Sequence, residues 1–162
     1  MSREGQGPRD AWMAFIDWML WGFGTSIMKE FPEKVSEENS WHWYKTFNLG
    51  LMLKYPTDHM AWGSCEIAGM AHSGNGNGCF PTPGNVVYMM SQMTLTDVDK
   101  TTTVMGCCLG TGTMLLYASN YSLRLFGNDI SLDMVKMATV NAWVYMPRLA
   151  CSADNKIDWN TP

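Results

Sequence analysis

The first apolar run, Ala11 to Gly24 (AWMAFIDWMLWGFG), has helical spacing and a single charged interruption, Asp17. It is shorter than the roughly 20 apolar residues a membrane span needs, so it reads as a buried or interface helix. Asp10 stands where an N-cap would, and the Gly22 to Gly24 stretch weakens the far end. Phe31-Pro32 breaks the pattern, because a residue before proline avoids the helical region. The spacing then predicts a helix over Asn39 to Lys54 and a third from His59 to Met70, capped by Asp58. Ser73 to Gly78 (SGNGNG) has neither helical nor strand periodicity and reads as a loop. Pro83 sits at the first turn of another helix, with Asn85 to Thr94 as its body.

From about residue 96 the pattern changes. Thr101 to Cys108 is β-branched and apolar, which predicts a buried strand running into a glycine turn. Thr113 to Ser119 predicts a short helix, and Leu123 to Asp129 a second strand. Ser131 to Val144 predicts a helix with Val135, Ala138, Thr139 and Ala142 on one face. Strand, loop, helix, strand, helix is a βαβα unit. The expected fold class is therefore α/β: a small, mainly parallel sheet in residues 96–162, preceded by a helical region in residues 1–95, forming one compact domain. The chain length of 162 residues fits a single domain.

Composition adds three restrictions. Apolar residues make up 46% and charged residues 16% of the chain, the balance of a folded protein. Fifteen Met and eight Trp point to a core or subunit interface filled by large adaptable side chains rather than to a cofactor role. The net charge of −4, with 11 scattered Lys and Arg, argues against strong nucleic-acid binding by the isolated chain, since phosphate neutralisation supplies most of such affinity. Cys65, Cys79, Cys107, Cys108 and Cys151 form no C-x-x-C pair and read as small, reduced, buried thiols. Neither they nor His42, His59 and His72 have metal-ligand spacing, so no metal site is expected. The polar start, MSREGQGPRD, has no apolar stretch behind a basic one, so no secretory signal is expected. The expected location is cytoplasmic.

The legible chemistry lies at the first turn of the βαβα unit. In such a unit the ligand sits beyond the carboxyl ends of the strands. A glycine turn after the first strand lets backbone approach the ligand and aims N–H groups at it. An acid at the end of the second strand accepts hydrogen bonds from ribose hydroxyls. Here the turn is Gly106 to Gly112 (GCCLGTG), and the acid is Asp129, 19 positions after Gly110 (129 − 110). The expected spacing is about 20. Close packing for the glycines and a helix cap for Asp129 are the alternatives. No general acid or base stands out: Asp58 and Glu66 read first as a cap and a solvated carboxylate. A nucleophilic Cys107 or Cys108 would need a basic neighbour, and the sequence shows none.

With these residues in view, Cys107 to Leu115 (CCLGTGTML) resembles motif I of DNA adenine-N6 methyltransferases, usually Asp-Pro-x-x-Gly-Ser/Thr-Gly-x-x-Leu. Phe126 to Ile130 (FGNDI) is similar to their motif II. Gly78 to Pro83 (GCFPTP) is similar to the Gly-Gln-Phe/Tyr-Phe-Thr-Pro segment that precedes motif I in one group of the family. Asp58, Gly63 and Glu66 fall where that group often has such residues. The resemblance runs from about Lys45 to Pro147. It implies a Rossmann-like methyltransferase core that binds S-adenosylmethionine. By position, Gly106 and the backbone of Leu109, Gly110, Thr111 and Gly112 would border the methionine part. Asp129 would hold the ribose and Ile130 the adenine. Phe80, Thr82 and Pro83 would close the pocket from the other side.

Two departures shape the functional expectation. Gly106 and Cys107 stand where motif I opens with an acid and a proline. The Asn/Asp-Pro-Pro-aromatic loop that handles the target base is absent, and Asn160-Thr161-Pro162 is a poor echo of it. The resemblance thus implies a truncated core in a reduced or split methyltransferase, with no catalytic residue assignable. A second copy or another protein chain would complete it, and DNA would be reached only through that assembly; no membrane partner is expected. The alternatives are an S-adenosylmethionine-binding protein that sequesters or cleaves the cofactor, and a purely structural or interaction module.

Overall fold

The computed structural model describes residues 7–67, 69 and 80–147 of the chain. The Ser73 to Gly78 loop, Met70, His72, Cys79, Cys151 and the 160–162 tripeptide lie outside them. The first helix, α1 (Pro8–Gly22), starts at Pro8 with Gly7 as N-cap, so Asp10 lies in its first turn and does not cap it. Proline needs no helical N–H at that position, which moves the start upstream. The long second helix divides into α2 (Glu37–Thr46) and α3 (Leu49–Lys54). Phe47 leaves helical geometry and joins the rings of Phe15 and Trp18. Asn48 then caps α3, its Oδ1 accepting from Leu51 N–H at 2.9 Å.

Asp58 opens α4 (His59–Trp62), which widens at once into a π-turn, Gly63–Ile67. Gly63 is required there by contact: a methyl in its place would lie 2.1 Å from the Trp12 ring of α1. Pro83 caps α5 (Gly84–Leu95) through its carbonyl, which accepts from Val86 and Val87 N–H.

The second half follows the expected order: β1 (Thr103–Gly106), α6 (Thr113–Ala118), β2 (Arg124–Gly127) and α7 (Leu132–Tyr145). The two strands pair in parallel, with Thr103 opposite Arg124 and Gly106 opposite Gly127. Among the described residues the structure is thus a mixture of helices and one small parallel sheet. The strand after residue 101 is not buried as expected. Thr103 and Met105 are exposed, Met105 at 55%. Leu115 of α6 lies against Gly106 and Gly127, so α6 packs beside one sheet face while Met105 alternates to the other.

The core is built mainly from α1 and α7. Trp12, Ile16, Met19 and Leu20 meet Met134, Met137, Val140 and Val144, with Met60 from α4. Trp12, Met19, Met60, Met134 and Met137 therefore serve as core, as expected, while Trp41, Trp62, Met89 and Met93 are exposed; Trp12 donates its indole N–H to the Met137 sulfur at 3.4 Å. Asp17, the charge inside the first apolar run, pairs with Lys136 of α7 at 2.7 Å. The expected apolar face of α7 was too narrow. Met134, Met137, Ala138, Val140, Asn141 and Val144 are buried, while Val135, Thr139 and Ala142 are half-buried. Helix α7 touches α1, α3, α4 and α6, so it is enclosed on several sides and no single stripe defines it.

No helix among the described residues is long and apolar enough to cross a membrane. The thiols depart from expectation: Cys107 and Cys108 are exposed and Cys65 is half-buried. The two exposed cysteines follow directly on β1, beyond the end of the strand pairing that would cover them.

Candidate functional site

Backbone pairing continues past the strand ends into the glycine turn. Asn128 N–H donates to Gly106 C=O at 3.0 Å, and Leu109 N–H donates to Asn128 C=O at 2.9 Å. This brings the turn against the end of β2, where Asp129 waits. The Asp129 carboxylate accepts from Gly110 N–H on Oδ2 at 2.8 Å and from Ser131 N–H on Oδ1 at 2.9 Å. The second bond shapes the entry to α7, so the helix-entry role is real. The first bond is not local: it joins residues 19 positions apart. A carboxylate offers about four acceptor positions, which leaves Asp129 able to accept further hydrogen bonds.

The two glycines of the turn differ. Gly110 has φ +55°, and nothing lies within 4 Å of where a side chain would project. Gly112 has φ +89°, and a methyl there would lie 3.2 Å from Ala138 Cβ. Both need glycine for conformation, but Gly112 also allows close packing on α7, while Gly110 faces open space. Three of the turn's N–H groups are not aimed outward as expected. Those of Leu109, Gly110 and Gly112 are spent on Asn128, Asp129 and Leu109 respectively. The physical reason is closure: the turn folds against the end of β2, and two of these donors pair with acceptors they meet there, the third with one inside the turn. A phosphate group would find little of the nest that nucleotide-binding loops provide.

The far side of the turn is held by Asp58. Its Oδ2 accepts from Thr111 Oγ1 at 2.6 Å and from Thr113 Oγ1. Its Oδ1 accepts from Ala61 N–H at 2.8 Å, the cap bond, and from Asn141 Nδ2 at 2.7 Å. Asn141 also donates to the Thr111 carbonyl at 2.8 Å. Asn141 is fully buried and Thr111 nearly so. Asn141 escaped the sequence reading. A polar amide in the middle of an apolar helix (VNAWV) is the signal that could have found it, because buried polar groups demand partners.

Asp58 and Thr113 also border a cavity of about 360 Å³ between α4, the start of α5 and α6. Trp62, Glu66, Thr82 and Tyr117 also line it, and among the described residues no Lys, Arg or His does. Of the expected site residues, Gly106, Leu109, Gly110, Thr111, Gly112 and Asp129 come together around the turn. Thr82 reaches the cavity, and Pro83 stands next to it as the cap of α5. Phe80 is 81% exposed and Ile130 95% exposed, and neither lines the cavity. Among the described residues no group of His, Cys, Asp and Glu side chains could hold a metal ion.

No family model, curated protein or solved structure matches this chain.

Proposed function

We propose that the chain binds S-adenosylmethionine at the glycine turn and is of the DNA adenine-N6 methyltransferase type. In this reading β1, α6, β2 and α7 are the first half of a Rossmann-like methyltransferase core. The observation that carries the proposal is the Asp129 contact to Gly110 N–H at 2.8 Å. It puts an acid with spare acceptor positions beside the one glycine of the turn that faces open space. That arrangement suits a ribose diol. Ile130, next in sequence and 95% exposed, offers an apolar face for the adenine. The spent donors of Leu109, Gly110 and Gly112 disfavour a pyrophosphate and favour a nucleoside without phosphate. Phe80, Thr82 and Pro83 would close over the ligand from the α5 side.

Methyl transfer is proposed to need a second copy or another chain, which would also bring DNA. Support comes from the sheet: it has two strands, each with an unpaired edge among the described residues, and Met105 lies exposed on it. The net charge of −4 favours a second reading, in which the chain binds or cleaves the cofactor without acting on DNA.

Calorimetric titration with S-adenosylmethionine, S-adenosylhomocysteine and NAD tests the first claim. Binding of the two nucleosides and none of NAD is expected; no binding of either nucleoside overturns it. Chromatography of cofactor incubated with the chain, with and without DNA, separates transfer from cleavage.

A further inference from the structure

We infer that Asp58 is the positioning residue of the glycine turn, a role that rests on the ligand reading above only for its effect on binding. Four donors converge on this one carboxylate: Ala61 N–H, Asn141 Nδ2, Thr111 Oγ1 and Thr113 Oγ1. They come from three separate parts of the chain, up to 83 positions away. Capping α4 takes one bond; the other three are not needed for that. With about four acceptor positions per carboxylate, Asp58 is saturated by protein. It therefore acts on a ligand through the turn, without touching the ligand itself.

The turn is held at two successive residues from two different elements, the end of β2 and the start of α4. Gly110 is held through its N–H by Asp129, and Thr111 through its hydroxyl by Asp58. Asn141 links the two ends of the second attachment, since its amide donates both to Asp58 and to the Thr111 carbonyl. Thr111 thus has side chain and carbonyl fixed together, and the peptide between Gly110 and Thr111 lies between the two anchors. Release of Asp58 would leave that peptide held by Asp129 from the β2 side and, at the Thr111 carbonyl, by an Asn141 amide that has lost its own anchor. Gly110, with no side-chain contacts of its own, would be the first to reorient.

The test uses Asp58→Asn, Thr111→Val and the double variant of the full chain. Asparagine is a good N-cap, so Asp58→Asn keeps the start of α4 while removing one of the acceptor oxygens. Thr111→Val keeps the branched shape and removes only the hydroxyl. Each single variant is expected to weaken S-adenosylmethionine binding by about tenfold, the scale of one hydrogen bond to a charged group. The double variant is expected to be no weaker than Asp58→Asn alone, because the bond from the Thr111 hydroxyl is already lost in it. Independent structural damage would multiply the two effects instead, and that result overturns the inference. Amide hydrogen exchange over residues 109–113 reads the same event without ligand. Faster exchange there in both variants, at unchanged melting temperature, supports the positioning role even if the wild-type chain binds no cofactor. Unchanged exchange and unchanged affinity in Thr111→Val refute it while leaving the cofactor reading intact.

Discussion

Replacing Gly112 and Gly110 by alanine, one at a time, should give unequal losses of stability, and the inequality can be worked from the structure. Both residues have positive φ, +89° and +55°, so alanine at either is strained. A left-handed residue with a Cβ costs about 1–2 kcal/mol. At Gly110 the cost ends there, because nothing lies within 4 Å of the new methyl. At Gly112 the methyl would lie 3.2 Å from Ala138 Cβ and 3.4 Å from Ala138 Cα. Neither atom can rotate away, so the α7 backbone must shift. Overpacking of this kind adds about 1–3 kcal/mol. Gly112→Ala should therefore cost about 2–5 kcal/mol in all, and Gly110→Ala about 1–2. Urea unfolding followed by tryptophan fluorescence measures both. Ala138→Gly in the Gly112→Ala background should restore part of the crowding cost, despite its own helix penalty of about 1 kcal/mol. Equal losses at the two glycines, or no coupling to Ala138, would refute the division into a packing glycine and an open one. The inequality also bears on function. Gly110→Ala should fold yet lose ligand binding, because its methyl projects into the space assigned to the cofactor.

Two further outcomes are expected. Gly63→Ala should destabilise the chain by about 3 kcal/mol or more, at the upper end of overpacking costs. Its methyl would lie 2.1 Å from the buried Trp12 ring; a red-shifted tryptophan spectrum should accompany the loss, and a variant as stable as wild type would contradict the contact. Stability should also fall in alkali through Tyr145. Burial pushes its phenol above the ordinary value of 10.0, the nearby Thr57 backbone opposes this, and the Asp58 charge adds to the rise. The folded state then binds the phenolic proton more tightly than the unfolded state. That contribution is complete below about pH 10 and is lost as pH rises through the folded value. Tyr145→Phe should flatten this part of the pH–stability curve, and an unchanged curve would exclude Tyr145 as its source.

Much of the second half was legible because its signals are local. Thr103 to Gly106 and Arg124 to Gly127 lie inside the two strands read from β-branched and apolar runs. The glycine turn and the acid declared themselves by spacing. The helices of the first half were harder to delimit, since their ends are set by contacts. Phe47 leaves the helix to reach Phe15 and Trp18, and Gly63 widens α4 to accommodate Trp12. Neither event has a signature within a short window. The buried face of α7 was misjudged for the same reason: residues 133–146 are nowhere fully exposed, because neighbours from the first half of the chain wrap around them. A periodicity argument assumes one wet side, and this helix lacks one over most of its length.

The site shows the same division and explains the departure at Gly106. The resemblance places an acid there. In this fold a side chain at Gly106 would point toward Leu115, whose Cδ2 lies 3.7 Å from the first atom of it, and toward the Phe126 carbonyl. A carboxylate starting on that path would first meet an apolar side chain and an acceptor, a costly environment for a charge. Acidic charge reaches the turn by two other routes. Asp129 comes from the end of β2, and Asp58 from the cap of α4. Each is stabilised by donors that the turn itself supplies, which the end of β1 could not do. Asp129 was found because its distance along the chain is characteristic of the βαβ unit. Asp58 looked like an ordinary cap, because its other partners, Thr111, Thr113 and Asn141, lie 53 to 83 positions away. The turn is thus shaped as much by the helical first half as by the sheet, and no reading confined to the βαβα segment could account for its conformation.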